Sequence, residues 1–380
     1  MEDTQAPAGM YNTVSNQMER LNTQQDKYYE DFPGYNNIIK VSPQEWWLPS
    51  HFLNFAAGYR NFKVRNDDVF VMSFPKCGST WMSEVVWNMK ANPDVDHTKA
   101  QIPDTLRAPF FELDMLNQMA GDLPTSNNSM MEMFQTWCPG KNVADGIILQ
   151  LTEAIPDPRI IKTHLPFSLL PESLLDTAKV VYMARNPKDV AISFHHHCRI
   201  SRFARYAGSF EDFIQYFLKG QVLYGPYWTH VQQAWERKHH PNLLILYYED
   251  VKANYMKELH KLNSFLGTNL SEKQMLGIKE FTSFRNMKGR ESEGQNNTSY
   301  RTVVYDQEAI KKEGGFFRKG EVGTWKENLF PKFTAKMDQW TIDNTNRLGI
   351  NFKFCEVKKD KINLETGIED ITLTHNVRAR

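Results

Sequence analysis

Two short stretches of the sequence combine residues that bind anions with a residue that can move a proton. In the first, "VFVMSFPKCGSTW" (residues 69–81), Lys76 and Gly78 precede the hydroxyls of Ser79 and Thr80. A helix start leaves backbone N–H groups unpaired, so a lysine, a glycine and two hydroxyls at that point favour a bound phosphate or sulfate. From this stretch alone, an ordinary strand-to-helix turn capped by Thr80 is the competing interpretation.

The predicted anion site differs from the usual nucleotide loop. The pattern G-x-x-x-x-G-K-[ST] is absent, because Lys76 precedes the only glycine of the stretch. The run "KVVYMAR" ends in Arg185, where a kinase or ATPase would need an acidic ligand for magnesium. An arginine at that place suits a second phosphate with no bound metal. Asn186 and Pro187 then begin another helix, on which Ser193 lies about two turns further along.

The second stretch, "RIIKTHLP" (residues 159–166), carries the candidate for proton transfer. Lys162 and His164 are two positions apart on a predicted strand and therefore point to the same face. A neutral imidazole can take the proton of a hydroxyl, and an ammonium beside it can balance negative charge.

The run "HHH" at 195–197 predicts no metal site, because consecutive helical side chains point about 100° apart. We expect one of these rings to line a ligand pocket instead.

These side chains are positioned by strands that alternate with helices. Four strand-like runs, "VFVMSF", "RIIKTH", "KVVYMAR" and "LLILYYED", are accompanied by helical patterns that predict helices at 80–90, 187–198, 209–238, 252–266 and 332–347. This alternation predicts an α/β fold, with a parallel sheet flanked by helices on both faces. Because the carboxyl ends of parallel strands share one edge, we expect the polar clusters to meet there.

The composition argues against several classes of partner. The 380 residues contain 45 Lys plus Arg and 45 Asp plus Glu, so no overall field recruits nucleic acid or an anionic membrane. The four cysteines show no paired spacing, and neither a signal peptide nor an apolar membrane-spanning run is evident, which predicts a cytoplasmic protein.

We expect a mobile N-terminal extension over 1–40, one domain over 41–355 and a C-terminal tail over 356–380.

Six motifs together resemble the cytosolic sulfotransferases, in the order and approximate spacing of that family. They are "FPKCGSTW", "IIKTHLP", "KVVYMARNPKDVAIS", "LYYED", "FTSF" and "FRKGEVGTWKENL". The resemblance implies a single α/β domain with the P-loop-kinase-like sulfotransferase fold. It also implies an enzyme that binds 3'-phosphoadenosine 5'-phosphosulfate (PAPS) without a metal. Such an enzyme transfers the sulfuryl group to a hydroxyl or amine of a small hydrophobic acceptor and releases the nucleotide product PAP.

The resemblance also implies a role for each matched residue. His164 would be the general base, and Lys76 and Lys162 would complete the catalytic set. The nucleotide would contact the loop, the adenine-binding residues and the 3'-phosphate-binding residues, which are Lys76, Cys77, Gly78, Ser79, Thr80, Trp81, Arg185, Ser193, Tyr248, Thr282, Phe284, Arg318, Lys319 and Gly320. For Trp81 and Phe284 taken by themselves, plain core packing is the alternative.

Two other functions remain open at this point. An insect branch of the family, the retinol dehydratase branch, is similar in "KTHLP", "ARNPKDVAIS" and "HVQQAWERKHHPNLLILYYED". Enzymes of that branch are lyases that dehydrate an allylic alcohol through a transient sulfate ester. The other alternative is a nucleotide-gated carrier of a lipophilic ligand, which the intact Lys76, Lys162 and His164 disfavour.

Two segments between the motifs lead to further expectations. The long connection over 101–157 predicts a lid above a lipophilic acceptor, with an amphipathic helix from about Phe110 and a flexible pocket wall from "MMEMF" (130–134). The family's dimer motif is matched only by Thr302 and Val303 in "SYRTVVYDQE", so the sequence leaves a homodimer open.

Overall fold

Two sheets organise the computed structural model, which describes residues 18–20, 27–35, 37–117, 129–292, 304–317 and 319–352. The strands within these residues are β1 Met18–Arg20, β2 Ile38–Val41, β3 Trp46–Pro49, β4 Val69–Ser73, β5 Ile160–Thr163, β6 Lys179–Ala184 and β7 Leu243–Tyr247. The last four pair in parallel in the order β5-β4-β6-β7, and the first three form an antiparallel sheet in the order β1-β2-β3.

Helices connect and cover the strands. Their bounds are α1 Lys27–Asp31, α2 Phe52–Arg60, α3 Ser79–Ala91, α4 Asp104–Arg107, α5 Leu113–Asn117, α6 Ser129–Trp137, α7 Ile147–Ala154, α8 Leu174–Thr177, α9 Pro187–Ile200, α10 Phe210–Leu218, α11 Tyr227–Glu236, α12 Tyr248–Ala253, α13 Tyr255–Leu266, α14 Glu272–Phe281, α15 Phe284–Ser292, α16 Gln307–Glu313, α17 Trp325–Asn328 and α18 Pro331–Leu348. Short 3-10 turns lie at Lys99–Gln101, Val143–Asp145 and Phe167–Leu169.

The parallel sheet is the centre of the core. All residues of β4 and β5 are buried, as expected for apolar strands that helices cover. Helix α3 packs against β4 and β5, α8 packs against β6, and α12 and α13 pack against β7. The predicted parallel sheet flanked by helices is confirmed, and its carboxyl edge collects the loop after β4, the end of β5 and the end of β6.

One predicted helix is interrupted. The structure divides the predicted helix over 209–238 into α10 and α11. Gly220 adopts φ 75° just after the first of these, and Pro226 immediately precedes the second. A proline inside a helix removes one hydrogen bond and clashes with the preceding turn, so the chain turns between Gly220 and Pro226 and α11 begins after them.

The described part of the first 40 residues is packed, whereas the sequence predicts a mobile extension there. Tyr28, Phe32, Tyr35 and Ile39 are buried in the core. The Phe32 ring contacts the rings of Tyr28 and Tyr35, and Tyr28 also contacts the ring of Trp47 on β3. Burial of four large apolar side chains holds this segment against the domain, so the packed region begins before residue 41.

Some expectations concern residues beyond this description. The predicted tail over 356–380, Cys355, Arg318, Thr302 and Val303 lie outside the described residues. Within the described ranges, no helix has both the length and the apolar character needed to cross a membrane.

A buried ion pair fixes the start of β4 beside β5. Asp68 accepts hydrogen bonds from Nε of Arg159 at 2.7 Å and from its Nη2 at 2.5 Å, and both side chains are almost fully buried. Removing one partner leaves the other charge buried and uncompensated. We therefore expect Asp68→Ala to lower the free energy of unfolding by about 3–5 kcal/mol, measured by urea denaturation.

The adjacent Asp67 provides the matched control. Its side chain is 69% exposed and lies 3.8 Å from Lys90 Nζ, so Asp67→Ala should change the free energy of unfolding by less than about 1 kcal/mol. Equal effects of the two substitutions would contradict the role given to the buried pair.

Candidate active site

The loop after β4 has the backbone shape that an anion cradle requires. Gly78 adopts φ 100°, and a Cβ atom at this position would lie 2.8 Å from the ring of Tyr248. Lys76 is also in the left-handed region, with φ 70°. Only glycine fits at position 78, because a side chain would meet both backbone strain and the Tyr248 ring. The loop therefore delivers Ser79 and Thr80 to the first turn of α3, where N–H groups are unpaired.

One cavity runs along the carboxyl edge of the sheet and receives this loop. One end, the nucleotide end, combines aromatic and cationic side chains and is lined by Lys76, Gly78, Ser79, Thr80, Trp81, Arg185, Ser193, Tyr248, Lys252, Phe284, Lys319 and Gly320. The other end, the acceptor end, is largely aromatic and aliphatic and is lined by Phe110, Leu116, Phe194, His196, His197, Phe203, Leu223, Tyr224, Val304, Tyr305, Phe316 and Phe317. His164 and Lys162 line the cavity between these two sets. Lys162 contacts Thr80 of the first set and Phe110 of the second, and the His164 ring contacts Phe110 and Tyr224.

Arg185 is a buried cation that connects the loops of the nucleotide end. Its guanidinium donates to the backbone carbonyls of Lys76 at 3.1 Å and Glu321 at 3.0 Å. It also lies 4.3 Å from the ring centre of Tyr248. Within the described residues it forms no ion pair with a carboxylate, and its Nε is buried without a hydrogen-bond partner. A buried guanidinium that is left in this state is well suited to an anionic ligand.

One aromatic residue of the nucleotide end, Trp81, is held by a hydrogen bond to a buried threonine. Trp81 donates its indole N–H to the carbonyl of Thr282 at 2.9 Å. The Thr282 hydroxyl is hydrogen-bonded to Tyr255 at 2.6 Å, and the residue is fully buried. Thr282, predicted to contact adenine, therefore lies behind Trp81 and does not line the cavity. Cys77 is also buried and absent from the lining, with its thiol directed at the Pro75 carbonyl.

The segment that carries Lys319 and Gly320 is tied to α9 by Asp189. The Asp189 carboxylate accepts hydrogen bonds from Gly323 N–H, Thr324 hydroxyl and Trp325 N–H, at 2.8–3.1 Å. The Thr324 hydroxyl donates a hydrogen bond to the negatively charged group at this buried position, so a hydroxyl is a suitable side chain at position 324. Asp189 was not predicted as a site residue, and it acts by fixing the loop rather than by lining the cavity.

The imidazole of His164 is oriented by a hydrogen bond to the neighbouring strand. Its Nδ1–H donates to the carbonyl of Ser73, at 2.8 Å, at the end of the neighbouring strand β4. This bond places the proton on Nδ1 and leaves Nε2 with a lone pair and no partner among the described residues. Burial, followed by the nearby Lys162 ammonium, lowers the pKa of His164 well below its usual value. A neutral imidazole with an accessible Nε2 can act as a general base.

A buried glutamate supports His164 from behind. Glu112 accepts the backbone N–H of His164 at 2.6 Å and the hydroxyl of Thr163 at 2.7 Å, and burial raises its pKa to about 7. The sequence analysis missed this residue. The only available signal was the apolar run "APFFELDML", which contains two acidic residues, Glu112 and Asp114. It does not show which of them meets His164, because the partners of Glu112 lie more than 50 positions away in the chain.

Lys76 and Lys162 each lie close to an aromatic ring of the acceptor end. The Nζ of Lys162 is 3.5 Å from Thr80 Oγ1 and 4.6 Å from the ring centre of Phe110. The Nζ of Lys76 is 3.5 Å from Nδ1 of His197 and 4.7 Å from the ring centre of Phe316. The structure therefore places two ammonium groups where the nucleotide and acceptor ends of the cavity join.

The three consecutive histidines diverge, as predicted. His195 packs among the rings of Tyr206, Phe210 and Phe213, whereas His196 and His197 line the cavity. Two rings, rather than the one expected, therefore reach the pocket. Among the residues that the structure describes, no group of three or more potential ligands is arranged to hold a metal ion.

The predicted lid is only partly seen. From the described residues of the 101–157 segment, the cavity receives Phe110 and Leu116. Helix α6, which contains the methionine-rich run, packs on α7, and Met130 and Phe134 are buried in the core. No described residue of α6 lines the cavity, so the pocket wall expected from "MMEMF" comes from Phe110 and Leu116 instead. Residues 118–128 lie outside the described residues.

Comparison with known proteins identifies a common family. The family model for the sulfotransferase domain matches residues 66–349. Luciferin sulfotransferase of Photinus pyralis is 30% identical over 318 residues, covering 82% of this chain and 81% of the relative. Sulfotransferase 1A1 of Mus musculus is 36% identical over 284 residues, covering 74% of this chain and 86% of the relative.

A solved structure matches over most of the chain. Retinol dehydratase in complex with androsterone and the inactive cofactor PAP superposes with a TM-score of 0.73 and 29% identity. The match covers 89% of this chain and 98% of that one. A second structure of retinol dehydratase, in complex with retinol and PAP, gives a TM-score of 0.70 over 87% of this chain and 97% of that chain, again at 29% identity.

The protonation state of His164 gives a direct test of the site. Since burial and the Lys162 charge lower its pKa well below the usual value, we expect the His164 ring to be neutral already at the pH where an ordinary histidine is half protonated. Histidine side-chain NMR resonances, assigned by comparison with His164→Gln, would measure this. A titration midpoint near about 6.5, the value of an unperturbed histidine, would contradict the proposed environment.

Proposed function

The chain belongs to the cytosolic-type sulfotransferase family, and we propose that its acceptor is an uncharged lipophilic alcohol or phenol. The family and fold predicted from the six motifs are confirmed. The enzyme is a PAPS-dependent transferase, since its relatives are sulfotransferases and both retinol dehydratase structures contain PAP. The acceptor, the role of each site residue, a cytoplasmic location and a homodimer remain proposals or predictions.

The nucleotide end of the cavity has the chemistry that PAPS requires. Trp81, Tyr248 and Phe284 offer aromatic surfaces for adenine. The 3'-phosphate would be bound by Arg185, whose Nε is buried without a hydrogen-bond partner, and by Ser193. Lys319 and Gly320 would also contact this phosphate, together with Arg318 as the resemblance implies. The first turn of α3 would hold the 5'-phosphosulfate.

One observation carries the proposed reaction: His164 and two lysines lie where the nucleotide end meets the acceptor end. PAPS supplies the sulfuryl group. His164 Nε2 would take the proton of the acceptor hydroxyl as its oxygen bonds to sulfur. The bond from sulfur to the bridging phosphate oxygen breaks, and Lys76 would balance the charge that this oxygen gains. Lys162 would stabilise the sulfuryl oxygens in transfer.

The acceptor end favours neutral, apolar substrates. Its walls include Phe110, Phe194, Phe203 and Phe316. Among the described residues that line the cavity, the one acidic side chain is that of Glu321, which follows Gly320 in the loop of the nucleotide end. A cationic amine would lose its hydration at the acceptor end without a carboxylate in return, which is costly. A hydroxyl on an apolar frame therefore suits the pocket better than an amine.

Dehydration is the second candidate reaction. The likeness to retinol dehydratase covers most of both chains and is the observation that favours it. An allylic alcohol, once sulfated, can lose sulfate when its C–O bond breaks with the electron pair leaving on oxygen. Loss of a proton from carbon then completes the elimination. The same base and lysines serve the first step of both reactions, so only the product distinguishes them.

Incubation with ³⁵S-labelled PAPS tests both candidates. We expect radioactive sulfate esters from lipophilic phenols and alcohols. From an allylic alcohol such as retinol, a stable labelled ester supports transfer, whereas release of labelled inorganic sulfate with a dehydrated hydrocarbon supports elimination. If neither product formed with any acceptor while PAP still bound, the result would contradict the proposed function and favour a carrier.

The variant His164→Gln tests whether His164 is the general base of the proposed reaction. It removes the base at the junction of the two ends, so turnover should fall by about 10²- to 10⁴-fold. The dissociation constant of PAP, measured by calorimetry, should stay within about threefold of the wild-type value, because the nucleotide contacts are unchanged. A variant that kept nearly full turnover would show that another residue is the base.

Two glycines of one loop test the nucleotide end. A Cβ at Gly320 (φ 64°) would lie 2.2 Å from the Phe284 ring, whereas a Cβ at Gly323 (φ 82°) meets only Lys326, at 3.9 Å. Both alanine variants carry similar backbone strain, but only Gly320→Ala must displace Phe284. We expect it to weaken PAP binding by about tenfold or more, since one stacking surface is lost, and Gly323→Ala to weaken it much less. Equal losses would exclude Phe284 as an adenine contact.

A further inference from the structure

His197 is a polar group in the aromatic acceptor end that the proposed mechanism does not use. It lies one helical turn beyond Ser193 on α9, and its ring lines the cavity. Its neighbours are mostly aromatic. The ring centre lies 6.0 Å from that of Phe194, 6.2 Å from that of Phe203 and 5.5 Å from that of Tyr305. A polar ring among such apolar neighbours costs free energy unless its donor finds a partner.

The contact with Lys76 decides which nitrogen of His197 carries the proton. The Lys76 ammonium has hydrogens to donate and no lone pair, and it lies 3.5 Å from Nδ1. Nδ1 must therefore accept. Burial, followed by the Lys76 charge, lowers the pKa of His197 well below its usual value, so the ring is neutral and its single proton lies on Nε2.

The Nε2–H donor of His197 has no hydrogen-bond partner among the residues that the structure describes. Its neighbour His196 differs, because Nε2 of that ring already contacts the carbonyl of Glu313 at 3.1 Å. His164 differs in the opposite sense, since its Nε2 offers a lone pair. At the acceptor end, His164 thus presents a proton acceptor and His197 presents an unused proton donor beside Lys76. The hydroxyl of Tyr224, which also lines this end, is a second polar group without a hydrogen-bond partner among the described residues.

We propose that His197 determines acceptor specificity by donating its Nε2–H to a second, uncharged oxygen of the acceptor. Under the proposed function, on which this inference rests, Lys76 faces the transferring group, and His197 is in direct contact with Lys76. The second oxygen therefore lies near the reacting hydroxyl. Preferred acceptors carry a carbonyl, ether or hydroxyl oxygen close to that hydroxyl, as in ortho-substituted phenols or hydroxy ketones.

A pair of isosteric phenols tests the proposal. 2-Methoxyphenol and 2-ethylphenol differ by an oxygen in place of a methylene, next to the reacting hydroxyl. One additional hydrogen bond predicts that the wild-type enzyme prefers 2-methoxyphenol by about 3- to 10-fold in kcat/KM. His197→Phe should abolish this preference, and His197→Gln, which keeps an N–H donor, should restore part of it. His196→Phe, whose Nε2 contacts Glu313, is the matched control and should keep the preference.

Each outcome has a distinct meaning. PAP binding by calorimetry shows whether a variant is folded. If His197→Phe does not fold, the ratio of the two kcat/KM values of the wild-type enzyme still tests the proposal. A wild-type ratio near one, or a His197→Phe enzyme slowed equally with both phenols, would overturn the specificity role. The second result would mean that His197 acts through Lys76 alone. Absence of a sulfated product from every phenol and every lipophilic alcohol would contradict the proposed function, and this inference would fail with it.

Discussion

The hydrogen bond from His164 Nδ1–H to the carbonyl of Ser73 is the interaction on which the site depends. It joins the ends of two adjacent parallel strands, β5 and β4, at the point where the anion-binding loop begins. By accepting the hydrogen bond from Nδ1–H, the Ser73 carbonyl leaves the lone pair on Nε2, as the proposed general base requires. The same bond sets the distance between that base and the loop. Glu112 adds support by accepting the His164 backbone N–H, so both the main chain and the ring are fixed.

Charge is distributed so that each ligand has its own end of the cavity. Arg185, Lys76 and Lys162 surround the nucleotide end and the junction, where a highly anionic co-substrate would compensate them. The acceptor end is mainly aromatic, so it removes water from a neutral acceptor and strengthens the electrostatic interactions beside it. Burial also keeps the His164 imidazole neutral. Under the proposed function, one environment would supply both the base and the affinity for an apolar substrate.

The sequence was informative where function depends on local backbone chemistry. Lys76 to Thr80, Lys162 with His164, and Arg185 with its helix start are short patterns at strand ends, and a parallel sheet brings strand ends together. Contacts between distant segments were not predictable. Glu112 meets His164 across 52 positions, and Thr282 lies behind Trp81 across 201 positions. Likewise, the polar composition of the first 40 residues concealed the aromatic side chains that pack the described part of that segment into the core.

A crystal structure of the enzyme with PAP and a lipophilic phenol would test the central claim most directly. We predict PAP against Trp81, with its 3'-phosphate on Arg185, and the phenol at the aromatic acceptor end of the same cavity. The phenolic oxygen should lie within about 3.2 Å of His164 Nε2. A phenol bound outside the cavity, or one whose hydroxyl points away from His164 while PAP is in place, would contradict the account.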